Sequence, residues 1–408
     1  MVLYLWFGAF LLHNLSRVLP PYPALVAAAA VGALLFASRA GHARDVTLVL
    51  LASWAVTAYI VVIDVSREGG WPSAGNLVRL LTPVVALSIL LLADVTEEAL
   101  RKLSLVYVAI VALAALSLFW QVVNGPIEWF AEASERAGVA RYASLLGSLT
   151  VFGTAAPIAL LAAAMYVRRP MAFVGVATLI FAGGVMSLQK SAIAGFVVMT
   201  PFVLLLLERG TRIKLGFALG ALVLLVLALV PTELLDYAVV GWQYFASAGT
   251  GGGTDVGLGQ SMVERLTELP REVIEYHGAG KMLLGVGLQG GGGVFGFPEL
   301  PMPHNGIVDY LAIGGLPYLA YGLLLLGMTF VSAARIVRWR AHVEEGWRVA
   351  VFVTGIVALY VANLPFASGL GFHPAFCWIP PLLISLAYSV RARTFDTRAR
   401  TAPGPARA

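Results

Sequence analysis

The sequence predicts an all-α polytopic membrane protein of about 12 transmembrane helices with one large extracytoplasmic loop. Three observations carry that prediction. Of the 408 residues, 59% are hydrophobic and only 12% charged, too few to clothe a soluble globule in a polar shell. The apolar residues fall in runs close to the ~20 residues that a helix needs to cross ~30 Å of hydrocarbon, and unbroken rather than alternating runs select helices over a closed barrel. The charges are also partitioned. With both termini placed in the cytoplasm, the inner loops and tail hold 18 of the 27 Lys and Arg but only 8 of the 22 acids, which is the positive-inside pattern.

Nine spans are expected in the N-terminal part, residues 1–231, near 2–19, 22–38, 46–64, 77–93, 103–123, 141–167, 171–187, 190–207 and 214–231. The first stretch, "MVLYLWFGAFLLHNLSRVLP", lacks a basic leader and a small-residue cleavage site and reads as a retained span. Between the fifth and sixth spans, "NGPIEWFAEASERAGVA" is acidic and predicts a short interfacial helix with Trp129 and Phe130 at headgroup level. Lys190, in "GGVMSLQKSAIAGF", sits at the junction of two apolar runs, where a cation either snorkels to the surface or serves a function.

Residues 232–305 form the large loop, long enough to hold a site on a rigid scaffold. Its "GTGGGTDVGLG" lacks the Lys-Ser/Thr of a phosphate-cradling loop and reads as a linker. The following "SMVERLTELPREVIEYHG" predicts an amphipathic helix, kinked or restarted at Pro270, with Met262, Leu266, Leu269, Val273 and Tyr276 on its apolar stripe. Arg265 falls on the border of that stripe. It is either an interfacial arginine paired with Glu264 or Glu268, or an anion clamp turned toward the membrane; Arg271 points away.

The loop ends in "PMPHNGIVDYLAIGG", and the last three spans follow near 306–332, 349–368 and 374–390, then a basic cytoplasmic tail, 391–408. His304 and Asn305 stand at the outer doorway of a span, with Asp309 one helical turn beyond Asn305. A neutral imidazole there could accept a hydroxyl proton, while Asn305 is equally suited to cap the helix.

Several classes of chemistry find no signature. The six histidines show no zinc spacing, and there is neither a Gly-x-Ser-x-Gly elbow nor an Asp-x-Asp pair, so an enzyme of this sequence would work without a bound metal or cofactor. The lone Cys377 cannot form an internal disulfide and reads as a small core residue. The excess of basic residues follows topology, not a nucleic-acid face.

At these residues the chain resembles the O-antigen ligase and polymerase superfamily. "HNGIVDYLAIGG" is similar to the family's His-Asn...Gly pattern, with Gly315 eleven residues after His304; "LLGVG" at 283–287 resembles the Gly-Val-Gly that closes its loop helix; "SLQKSA" resembles Ser-x-Ser-Arg-x-Ala, with Lys190 where arginine is usual. The resemblance implies a GT-C-like fold in the inner (plasma) membrane. It implies metal-independent, inverting transfer of a glycan from an undecaprenyl-diphosphate-linked donor to a sugar hydroxyl of a glycan or glycolipid acceptor, of the lipid A-core type in a ligase, on the periplasmic face among membrane lipids. In that scheme Arg265 and Lys190 bind the diphosphate, His304 is catalytic, and Asn305 and Asp309 support it. A polymerase uses the same donor. A transporter also suits twelve spans, although no internal repeat is visible. Reporter fusions test the topology directly: an enzyme reporter within 232–305 is expected to read as extracytoplasmic, and a cytoplasmic readout would overturn the orientation.

Overall fold

A computed structural model describes residues 2–12, 26–27, 30–31, 44–68, 74–93, 95–130, 133–136, 139–147, 149, 151–187, 189–229, 267–290, 305–340, 345–364 and 376–389. These are mostly helical. The N-terminal part holds α1 (Val2–Leu11), α2 (Arg44–Glu68), α3 (Ala74–Leu92), α4 (Glu97–Asn124), a hairpin of β1 (Ser134–Arg136) and β2 (Val139–Arg141), α5 (Val151–Tyr166), α6 (Pro170–Met186), α7 (Lys190–Leu206) and α8 (Arg209–Leu229). Three short helices follow, α9 (Glu268–His277), α10 (Ala279–Leu284) and α11 (Gly287–Gly290), then α12 (Gly306–Arg338), α13 (Gly346–Asn363) and α14 (Ile379–Ser389). Among the described residues, four segments are long and apolar enough to cross a membrane: Val46–Ser66, Glu97–Asn124, Gly306–Arg338 and Gly346–Asn363. Shorter apolar helices accompany them, including Val151–Tyr166 and Pro170–Met186.

The centre of the bundle is α5, whose sequence VFGTAAPIALLAAAMY is apolar all round and buried from Val151 to Met165. Its alanines let neighbours approach closely, as small residues do where lipid cannot drive helices together. Gly195 of α7 faces Pro157 of α5 and Leu359 of α13; Gly355 of α13 faces Leu161 of α5 and Phe202 of α7. The pairs 195 with 359 and 202 with 355 make α7 and α13 antiparallel. On the far side, α1 packs Phe7 edge-on against Trp378, with ring centroids 5.6 Å apart.

The two ends of the bundle differ. One gathers Arg101 and Lys102 at the start of α4, Arg168 after α5, Arg335 and Arg338 at the end of α12, and Arg348 at the start of α13. Arg168 pairs there with Glu345 at 2.9 Å, and Arg348 donates to the last carbonyls of α5, Ala164 and Met165, both at 3.1 Å. Cations at helix C-termini satisfy freed carbonyls and complement the macrodipole. The other end carries the short helices, the hairpin and the start of α12.

Two expectations need correction. The segment expected to form an interfacial helix near Trp129 instead turns after Gly125 (φ 88°) and pairs Ser134 with Arg141 in an antiparallel hairpin. The sixth span was expected from 141, but its helix starts at Val151. Backbone in 142–149 is held by side chains: Gln121 donates to Ala143 O at 2.8 Å and Ser117 Oγ accepts from Leu145 N at 3.1 Å. These polar side chains on α4 replace helical bonds and let an apolar stretch stay irregular.

The most constrained backbone lies inside α12, where Gly314 and Gly315 leave helical geometry (Gly315 φ 62°, ψ −156°) just before Pro317. Gly285 (φ 87°), between α10 and α11, presses against this break: a β-carbon on Gly285 would come 2.7 Å from Gly314 Cα and Gly315 N, and one on Gly315 would come 2.6 Å from Gly285 N. The opposing atoms are backbone and cannot move aside as a side chain can. Gly315→Ala and Gly285→Ala should therefore each destabilise the fold by about 2 kcal/mol or more, lowering the apparent melting temperature of the purified protein by roughly 2 °C or more. Gly216→Ala, in open space on α8, is the control and should leave it unchanged.

Candidate functional site

Asn305 opens α12. Its Oδ1 accepts from Ile307 N at 3.0 Å and Val308 N at 3.3 Å, satisfying two of the amides that a helix start leaves free. Gly306 N donates to Leu364 O at 3.0 Å, which ties the doorway of α12 to the end of α13. Asp309 follows in the first turn with its carboxylate buried, only 3% exposed. An acid in this position is favoured by the helix N-terminus. Beside it, Tyr310 and Tyr318 meet edge to face at 4.6 Å. They border a small cavity of about 30 Å³ to which Ser53, Thr57, Tyr321 and Tyr360 also contribute. That is room for about two waters among hydroxyls.

The short helices dock on this doorway. Val273 of α9, Met282 of α10 and Val286 form one buried cluster with Val308 and Ala312 of α12. Val273 thus lies on the buried side, as the amphipathic stripe requires. Tyr276 does not: it is 67% exposed and stacks edge-on against His277 at 4.9 Å, because α9 ends at Gly278 (φ 78°) and the chain turns away. Arg271 points outward and pairs with Glu275 at 2.6 Å, which raises the guanidinium pKa above its ordinary value and keeps it charged.

Two polar side chains that sequence reading passed over fix this end. Asp64 of α2 is fully buried, and its Oδ1 accepts from Leu288 N of α11 at 2.6 Å. The signal was present as one acid inside the apolar run "YIVVIDVS". Gln189, at the N-cap position of α7, is 3% exposed; its Oε1 accepts from Gly153 N at 2.6 Å, and its Nε2 donates to Leu149 O. Arg141 donates to the same Leu149 carbonyl at 3.2 Å, so a guanidinium from the hairpin stands beside Gln189.

Of the residues that the sequence singles out, Asn305 and Asp309 share the first turn of α12. Lys190 is the first residue of α7, immediately after Gln189; its side chain lies outside what the structure describes. Since Gly195 faces Leu359 in antiparallel helices, Lys190 falls level with Leu364, whose carbonyl holds Gly306. The starts of α7 and α12 therefore occupy one end of the bundle, with the short helices. Arg265 and His304 lie outside the described residues, three and two positions from the nearest helix starts in sequence. Among the described residues, no three His, Cys, Asp or Glu side chains gather closely enough to hold a metal ion.

Fold and site define a helical membrane protein with one polar, loop-covered end and one basic end. Compared with known proteins, the chain matches no family model, and no curated protein matches it in sequence.

The grip of Asp64 on α11 has a measurable consequence. Asp64→Ala leaves the Leu288 amide buried without its acceptor and should cost about 1–3 kcal/mol, whereas Asp64→Asn, which keeps an acceptor oxygen, should cost less. Thermal unfolding combined with limited proteolysis reads this out: the alanine variant should be cleaved faster between 278 and 305.

Proposed function

We propose that the protein is an O-antigen ligase-like membrane glycosyltransferase. It would move a glycan from undecaprenyl diphosphate to a sugar hydroxyl of a lipid A-core type acceptor, at the periplasmic face of the inner membrane. The reading includes about twelve spans, both termini in the cytoplasm, and a loop over 232–305 outside. The sequence resemblance motivates it. The observation that carries it furthest is that the starts of α7 and α12 lie level with Leu364, whose carbonyl accepts from Gly306, at the end of the bundle where α9–α11 dock on α12. The described residues of the segments that resemble the family's motifs, "SLQKSA", "LLGVG" and "HNGIVDYLAIGG", thereby fall toward one end of the bundle.

In the proposed reaction, the acceptor oxygen attacks the anomeric carbon of the donor sugar from the face opposite the diphosphate. The carbon–oxygen bond to the diphosphate breaks, the configuration inverts, and undecaprenyl diphosphate leaves with the bonding electron pair. Lys190 and Arg265 would bind the diphosphate and offset its growing charge; His304 would take the hydroxyl proton. Asn305, by capping α12, and Asp309, buried one turn later, would fix the backbone that presents His304. Lysine binds phosphate as a point charge, without the two-pronged geometry of arginine.

The test uses the protein in liposomes supplied with a defined lipid-linked oligosaccharide and an acceptor glycolipid. His304→Ala should lower transfer by about 10²-fold or more without altering thermal unfolding; wild-type transfer in this variant would refute its role. EDTA should leave transfer unchanged, and inhibition reversed by a divalent ion would contradict a metal-independent reaction. A single capped product marks a ligase, and a ladder marks the polymerase of the same superfamily.

A further inference from the structure

The C-terminal end of α10 carries two adjacent, outward-facing leucines, Leu283 at 49% and Leu284 at 60% exposure. Their surroundings show what they face. Tyr59 of α2 donates its hydroxyl to Leu284 O at 2.8 Å. On the same helical face one turn on, Val62 is 62% exposed on a helix apolar enough to cross a membrane. The apolar span Val46–Ser66 is about 30 Å long, the hydrocarbon thickness, so Tyr59 and Leu284 lie roughly 10 Å inside the level of Ser66.

The backbone of this segment is also handled as it must be away from water. Val286 N donates to Ala312 O at 2.7 Å, the carbonyl that the break in α12 leaves near Gly314. Leu284 O is taken by Tyr59, Gly285 N by Met282 O at 3.2 Å, and Leu288 N by Asp64. Non-helical backbone at membrane depth survives only when protein groups satisfy it in this way.

We propose that residues 279–290 re-enter the bilayer, with Leu283 and Leu284 among the acyl chains of the leaflet at this end. The loop is then anchored in lipid beside the doorway of α12 and does not stand free in water. Shallow insertion of about 5–10 Å is the depth at which amphipathic segments rest in a membrane. Neither the direction of insertion nor its depth depends on glycosyl transfer.

Single cysteines in a Cys377→Ala background test this in nanodiscs of phosphatidylethanolamine and phosphatidylglycerol, which leave both faces open to reagents. A nitroxide at Leu283→Cys or Leu284→Cys should collide with oxygen in preference to a water-soluble nickel complex, as at Val62→Cys, and Glu272→Cys should show the reverse. As a second measurement, without the nitroxide, an impermeant maleimide should react with Leu284→Cys at least about tenfold more slowly than with Glu272→Cys, as expected for a site below the headgroups. Nickel accessibility and maleimide rates at 283 and 284 equal to those at 272 would overturn the proposal.

Discussion

The interlock of Gly285 with Gly314 and Gly315 is the constraint on which the doorway depends. Breaking α12 there frees a backbone carbonyl inside the protein, which needs a donor brought into the notch. Val286 supplies its amide, and it can reach Ala312 because neither strand of the contact carries a side chain at the closest approach. The same approach brings Met282 and Val286 onto α12 beside Val273, so the short helices and the long helix form one body at this end.

Elsewhere the bundle solves the same problem differently. Around the middle of α5, alanines and glycines remove bulk and let the helices close on one another. At its start, Gln189 and Gln121 reach across to the backbone of Ala143, Leu149 and Gly153. These amides neither titrate nor carry charge, so burying them costs little once their bonds are made. Asp64 differs because it carries a carboxyl group into the interior, where it accepts from Leu288 N of the loop. That bond makes it a strut between loop and bundle.

Much of the described helical framework was legible in the sequence, since unbroken apolar runs and their charged flanks mark the helices between 44 and 229, and again from 306, though with ends displaced by up to ten residues. The hairpin at 134–141 was not, because two strands of three residues each carry no periodicity long enough to compete with an acidic, aromatic stretch. The start of α5 was misplaced because "YASLLGSLT" is apolar enough to extend a span, while side-chain bonds from α4, Gln189 and Arg141 hold its backbone. Asn305 was open to two readings, and its capping geometry is now defined. Gln189 escaped attention because its partners lie 36 and 40 residues away in sequence. Polar contacts of that reach leave no local pattern.

The central claim is that one end of this bundle receives a lipid diphosphate through the start of α7 and the loop. Native mass spectrometry of the protein with an undecaprenyl-diphosphate-linked oligosaccharide addresses it most directly. The account predicts that the wild-type protein and His304→Ala retain the donor, while Lys190→Ala combined with Arg265→Ala loses it. Equal retention by the double variant would contradict the account.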